Sequence, residues 1–169
     1  MDETTWLNSE EMRAWQALLS GWALLDREIE HQLKNDSGLS HTQYEVLVRL
    51  AAAPEGRIRM TELADSLVNS KSGLTYQVSR LEAAGLVRRE ACPTDVRGVS
   101  AVLTDRGRHT LDKAAPGHVA QVRELLIDVL TPTQLTALAD GLGEVARRIQ
   151  EGAPRTGRAP RTRRPERTV

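Results

Sequence analysis

Ser79-Arg80-Leu81-Glu82-Ala83-Ala84-Gly85-Leu86-Val87-Arg88-Arg89 is the stretch whose reading settles how this chain folds. Up to Ala84 it continues a pattern capped at Ser70, with Leu74, Val78 and Leu81 at spacings of four and three residues, one face of an α-helix. Gly85 stands where a helix closes on a left-handed residue, and Leu86 is the apolar partner of such an end. From Leu86 the period changes. Leu86 to Ala91 and Val99 to Leu103 read as extended segments, and Pro93-Thr94-Asp95-Val96-Arg97-Gly98 between them is rich in turn formers. The stretch is the joint between a helix and a β-hairpin.

Upstream, Asn8 with Glu11 has capping-box spacing and opens a helix to about Lys34, with Trp15, Leu18, Leu19, Trp22, Leu25, Ile29 and Leu33 on one stripe. Asp36-Ser37-Gly38 breaks it. Ser40 with Gln43 opens a second helix, whose buried face is Tyr44, Leu47, Val48 and Leu50 or Ala51, and Pro54-Glu55-Gly56 closes that one. Thr61 is the expected cap of a short third helix burying Leu63, Ala64 and Leu67. Downstream, Thr104 caps a long helix that Ala115-Pro116-Gly117 should kink or interrupt. Thr131-Pro132-Thr133-Gln134 starts a last one bearing Leu135, Leu138, Leu142, Val145 and Ile149.

The fold class expected is mainly α: a winged helix-turn-helix with N- and C-terminal dimerisation helices and a small β-hairpin wing. The divisions are 1–56, the N-terminal dimerisation helix and first reader helix; 57–104, the reading region; and 105–151, the C-terminal dimerisation helices. In 152–169, Arg, Pro, Thr, Ala and Gly dominate and cannot bury enough apolar surface to order themselves, so a disordered basic tail is expected.

At 169 residues one ordinary core is affordable, and it must be built from Leu, Val, Ile and Ala, since there is no Phe. The single cysteine, Cys92, excludes an intrachain disulfide and a thiolate zinc site, and four scattered histidines have no ligand spacing. Neither metal nor cofactor is expected. No apolar run is long enough to span a membrane, and the expected setting is the cytoplasm. The net charge of zero hides a segregation. Residues 1–56 carry 4 Lys/Arg against 10 Asp/Glu, whereas 57–113 carry 10 against 7 and 151–169 carry 6 against 2. Local cationic patches, not the sum, govern attraction to a polyanion.

With Leu74, Val78 and Leu81 turned inward, the fourth helix presents Lys71, Ser72, Thr75, Tyr76, Ser79 and Arg80 outward. Short hydroxyls and long cations suit phosphates and base edges, and Arg can grip guanine O6 and N7 together. A solvated polar face is the bland alternative; the position between a short helix and a basic hairpin, with Arg88 and Arg89, favours DNA.

Leu63-Ala64, the run Ser79 to Arg89, Asp95-Val96-Arg97-Gly98 and Leu103-Thr104-Asp105-Arg106-Gly107 together resemble the multiple-antibiotic-resistance regulator (MarR) family, whose helix order matches over about residues 8–150. The resemblance implies a homodimeric transcriptional regulator, a repressor, on an inverted-repeat operator, and so a place on the nucleoid through bound DNA. It makes Arg97 the wing-tip arginine of the minor groove and Asp95 the carboxylate that orients it. Val96 departs from the pattern, where another Arg is common, and weakens the wing's grip. The resemblance further implies release by a small aromatic or phenolic effector. Trp15, Trp22, His41 and Tyr44 are the expected pocket, although both tryptophans equally suit the dimer interface.

Other readings stay open. A winged helix that binds protein would tolerate an uncharged wing, which Arg80, Arg88, Arg89 and Arg97 oppose. A redox-responsive regulator would use Cys92, which as a lone strand cysteine equally serves packing. An enzyme, for instance a methyltransferase with a winged-helix segment, needs a glycine-rich phosphate loop or a nucleophile with its base, and neither is present in the sequence. The tail arginines, Arg155, Arg158, Arg161, Arg163, Arg164 and Arg167, suit either phosphate contacts or plain solvation.

Overall fold

Three capping boxes start three helices, and all three were legible as spacings. In the computed structural model, which describes residues 4–67, 71–92 and 95–152 except the side chains of Lys71, Cys92, Asp95, Val96 and Arg97, helix α1 spans Ser9–Ser37. Asn8 Oδ1 accepts from the Glu10 and Glu11 amides, and the Asn8 amide donates to Glu11 Oε2 at 2.8 Å. Helix α2, His41–Ala52, opens with the Ser40 amide donating to Gln43 Oε1 at 3.0 Å and Gln43 N–H returning to Ser40 Oγ at 3.1 Å. The helix ends at Ser37, three residues beyond the end at Lys34 that the pattern predicts, and the α1–α2 turn closes on Gly38 at φ 72°.

A 3₁₀ turn at Pro54–Gly56 leads into strand β1, Arg57–Arg59. The sequence reading does not contain this strand, which is too short for a period to register. It runs into helix α3, Met60–Ser66, so the extended Arg59 is the N-cap residue, and its side chain makes no capping hydrogen bond to the helix. Thr61 therefore lies inside the first turn and is not the cap. Helix α4 is Lys71–Ala83, and Ser70, its expected cap, lies outside the described residues. After α4, Gly85 takes φ 71° and the Leu86 amide donates back to the Leu81 carbonyl at 2.9 Å, the closing bond that a left-handed residue permits.

Strands β2, Val87–Cys92, and β3, Asp95–Leu103, pair antiparallel, and β3 also pairs with β1, giving the order β1-β3-β2. Residues 95–98, expected as turn, are strand: pairing resumes at Cys92 with Asp95 after a register shift at Ala91/Cys92. Thr104 caps helix α5, Asp105–Val122, accepting from Gly107 N–H at 3.0 Å while donating to the Gly85 carbonyl at 2.8 Å. A Cβ on Gly107 would lie 2.1 Å from the Leu86 carbonyl oxygen, so only glycine lets α5 leave the sheet there. The helix runs on through Pro116 without the expected interruption. Its irregularity comes later, as a π segment at Arg123–Ile127.

The core is aliphatic, as the absence of Phe requires. Leu33 of α1, Leu47 and Leu50 of α2, Leu63 of α3, and Leu74 and Leu81 of α4 are fully buried. On α2 the fourth buried position is Val46, with Tyr44, and not Val48, which is exposed. The chain divides into two compact units, Met1–Val129 and Leu130–Val169. In the second, helix α6 spans Pro132–Gly152 and starts on the third box, Thr131 N–H donating to Gln134 Oε1 at 2.9 Å. No described residue of 153–169 exists to test the tail.

Candidate nucleic-acid interface

Helix α4 has two chemically opposite faces because its apolar residues recur at helical spacing. Leu74, Val78 and Leu81 are buried, while Ser72, Thr75, Tyr76, Ser79 and Arg80 are exposed, Tyr76 to 62%. The outward set is the one the spacing implied. The Arg80 guanidinium has neither hydrogen bond nor ion pair among the described residues, so it keeps all five donors for an incoming acceptor. The Ser79 hydroxyl donates to the Thr75 carbonyl at 2.8 Å. Lys71 belongs to the first turn of α4, its side chain lying outside the described residues.

The hairpin's basic residues divide by strand parity, since successive side chains on a strand point to opposite faces. Arg88 and Glu90 share one face. Glu90 accepts from Arg88 Nε at 2.6 Å and pairs with Arg57 Nη2 of β1 at 2.5 Å, reaching across the intervening β3 on the face that register gives to both. The hydrogen bond from Arg88, aided by Arg57, holds the Glu90 carboxyl below the usual carboxylate range. Arg89 turns to α4. Its Nη1 donates to Glu82 Oε2 at 3.1 Å and its Nη2 to the Thr75 carbonyl at 3.0 Å and Ser79 Oγ at 2.8 Å. The side chains of Asp95 and Arg97 at the wing tip lie outside the described residues, as does that of Cys92.

The four residues expected to form an effector pocket are only partly brought together. Trp22 and His41 have ring centroids 6.4 Å apart; a residue the sequence reading did not include, His118 of α5, then links His41 at 6.2 Å to Tyr44 at 4.4 Å. Trp15 lies two turns before Trp22 on α1 and is half exposed. His41 Nδ1 is 2.7 Å from Asp26 Oδ1. His118 Nδ1 is buried with no hydrogen-bond partner among the described residues. Burial, and secondarily the charge of His41, holds the His118 imidazole below its ordinary pKa, while burial raises the Tyr44 phenol. Nothing in the period around Ala115-Pro116-Gly117 could have shown that His118 meets two rings of α2.

Among the described residues no group of three His, Cys, Asp or Glu could hold a metal ion, and no helix is long and apolar enough to cross a membrane.

Comparison with known proteins agrees with this architecture. The sequence model of the MarR family matches residues 37–98, from the end of α1 into β3. Sco3205, a MarR family transcriptional regulator from Streptomyces coelicolor whose crystal structure is in complex with DNA, is 44% identical over 90% of this chain and 92% of that one, with a TM-score of 0.81. AbsC, a MarR family transcriptional regulator from the same organism, is 42% identical over 88% of this chain and 99% of that one, with a TM-score of 0.82. The HTH-type transcriptional regulator MhqR of Bacillus subtilis is 31% identical over 108 residues, 64% of this chain and 72% of that protein. With a winged helix-turn-helix built from α3, α4 and the β2–β3 hairpin, and relatives that are transcriptional regulators and not enzymes, the chain belongs to the MarR family of transcriptional regulators.

Proposed function

We propose that this regulator is a repressor that binds an inverted-repeat operator as a homodimer. The outward face of α4, with Arg80 uncommitted beside a basic hairpin, is the observation that carries this reading. Arg80 reads guanine in the major groove, and Lys71, Ser72, Thr75, Tyr76 and Ser79 set the register through phosphates and base edges. Arg88, Asp95 and Arg97 belong to the wing, with Arg97 in the minor groove. The half-exposed apolar residues of α1, Trp15, Leu19 and Trp22, support a second copy as the cover of that face.

Selection of binding duplexes from a random-sequence pool by the full chain tests the reading. The expected product is an inverted repeat whose half-site centres lie about 34 Å apart. Arg80→Ala then costs about 1 to 3 kcal/mol on that duplex and relaxes one position per half-site. A pool that converges on no sequence, or an Arg80→Ala variant that binds like the parent, overturns it. A reporter driven through the recovered site separates repression from activation.

A small aromatic or phenolic effector that releases the DNA is the second part of the proposal. The ring series Trp22, His41, His118 and Tyr44, with a buried imidazole nitrogen lacking a partner, supports a ligand site where α1, α2 and α5 meet. Its test is a panel of phenolic acids. One that changes tryptophan emission saturably must lower duplex affinity by a matching coupling factor, and fluorescence change with unaltered DNA binding sinks this part alone.

A further inference from the structure

The guanidinium of Arg89 is spent inside the protein. Thr75, Ser79 and Glu82 lie four and three residues apart, one face of α4 across two turns, and Arg89 of β2 bonds all three. Glu82 Oε1 also accepts the backbone N–H of Arg89 at 3.1 Å, so one carboxylate holds both the strand's backbone and its side chain. Both Nη atoms are committed, and the pair is partly screened from solvent, at 28% exposure for Arg89 and 39% for Glu82. A fork of this kind fixes direction as well as distance.

We infer that Arg89 is a positioning residue: with Glu82 it clamps the base of the hairpin to the reading helix and so sets the angle at which wing and helix meet DNA. This rests on the reading above, that α4 and the hairpin engage DNA together. The geometry gives the clamp its leverage. Strand rise is about 3.3 Å per residue, so Cys92 lies about 10 Å beyond Arg89, and a swing of about 15° at the base moves the tip by between about 2 and 3 Å, enough to lose a hydrogen bond. The other arginine of β2, Arg88, cannot replace it, because strand parity turns it to Glu90 and Arg57.

Three single variants of the full chain, Arg89→Lys, Arg89→Gln and Glu82→Gln, and the double variant Glu82→Gln/Arg89→Gln distinguish a clamp from a phosphate contact. The probes are the duplex recovered by the selection and a scrambled duplex of equal length. The clamp requires each single variant to lose about tenfold or more on the recovered duplex, to keep its affinity for the scrambled one, and to leave the log–log salt slope unchanged. Arg89→Lys must fail although it keeps the charge, because an ammonium cannot form the fork. Glu82→Gln must weaken binding although it removes a negative charge, and the double variant must lose no more than either single. The inference is overturned by a Lys variant that binds like the parent, by a slope flattened by about 0.9 in Arg89→Gln, or by tighter binding in Glu82→Gln. If no duplex is recovered at all, the DNA reading fails first; the clamp is still read without DNA, as faster hydrogen exchange of the Arg89 amide in Glu82→Gln, and an unchanged rate there overturns it separately.

Discussion

The two halves of α1 carry one continuous apolar stripe and meet opposite fates. In the C-terminal half, Ile29 and Leu33 are buried and Leu25 packs against the same core. In the N-terminal half Trp15, Leu19 and Trp22 remain 50%, 51% and 56% exposed. The period is the same in both, so amphipathicity says that a face needs covering and does not say by what. α2 and α5 cover the first half. The second is larger than scattered surface apolars require, and a second copy is the cover we propose. Helix α6, taken by itself, repeats the bare case: Leu142, Val145 and Ile149 are all exposed.

The largest test of this contrast is truncation in the covered half. Leu33→Ala removes a fully buried side chain and is expected to cost about 2 to 5 kcal/mol in urea unfolding. A cost under about 1 kcal/mol would mean that this half of the helix is not core. Trp22→Ala is the counterpart in the bare half. It should weaken association by about 2 kcal/mol in sedimentation equilibrium, as a central aromatic anchor does, with little change in the unfolding of the separated chain. A parent chain that sediments as a monomer at micromolar concentration would remove the proposed cover altogether.

Two helix glycines sharpen the same comparison at smaller scale. A Cβ on Gly117 of α5 would stand 2.9 Å from Gln32 Nε2 and 3.0 Å from Asp36 Oδ2, the two atoms that bond each other at 2.8 Å on the covered half of α1. A Cβ on Gly21, in the bare half, meets nothing within 4 Å. Gly117→Ala should therefore lower stability by about 1 to 2 kcal/mol through crowding, and Gly21→Ala should raise it by about 0.5 to 1 kcal/mol through helix propensity. Thermal melts in which both changes have the same sign would break the contrast.

The smallest effect lies at the seam between the halves, where His118 meets the rings of α2. Its imidazole is held below the ordinary 6.5 by burial and then by His41. Below that pH the unfolded chain binds a proton that the folded chain resists, so this group's contribution to stability is complete above about pH 6.5 and declines as the pH falls. The melting midpoint is expected to drop between about pH 7.5 and pH 5.5, and His118→Phe should remove part of that drop. An identical pH profile in the variant would show that the imidazole does not titrate against folding.

Local chemistry determined most of what the sequence alone could carry. The boxes at Asn8, Ser40 and Thr131, the glycine end at Gly85 and the cap at Thr104 all involve residues within five positions of each other, so spacing predicts them. The same holds for the outward face of α4, because a helix of known period with three inward residues has only one opposite side. Tertiary structure decided the rest. Thr61 lost its place as a cap because β1 pairs with β3 some forty residues away and delivers Arg59 already extended. Val46 displaced Val48 from the core according to which helices pack around α2. Arg88, Arg89 and Glu82 all stood in or beside the stretch that settles the fold, yet their partners follow from strand parity and from the fold of the chain at Gly85. Sequence distance carries no information about which side chains a turn brings face to face, and for that reason the clamp on the reading helix became visible only in three dimensions.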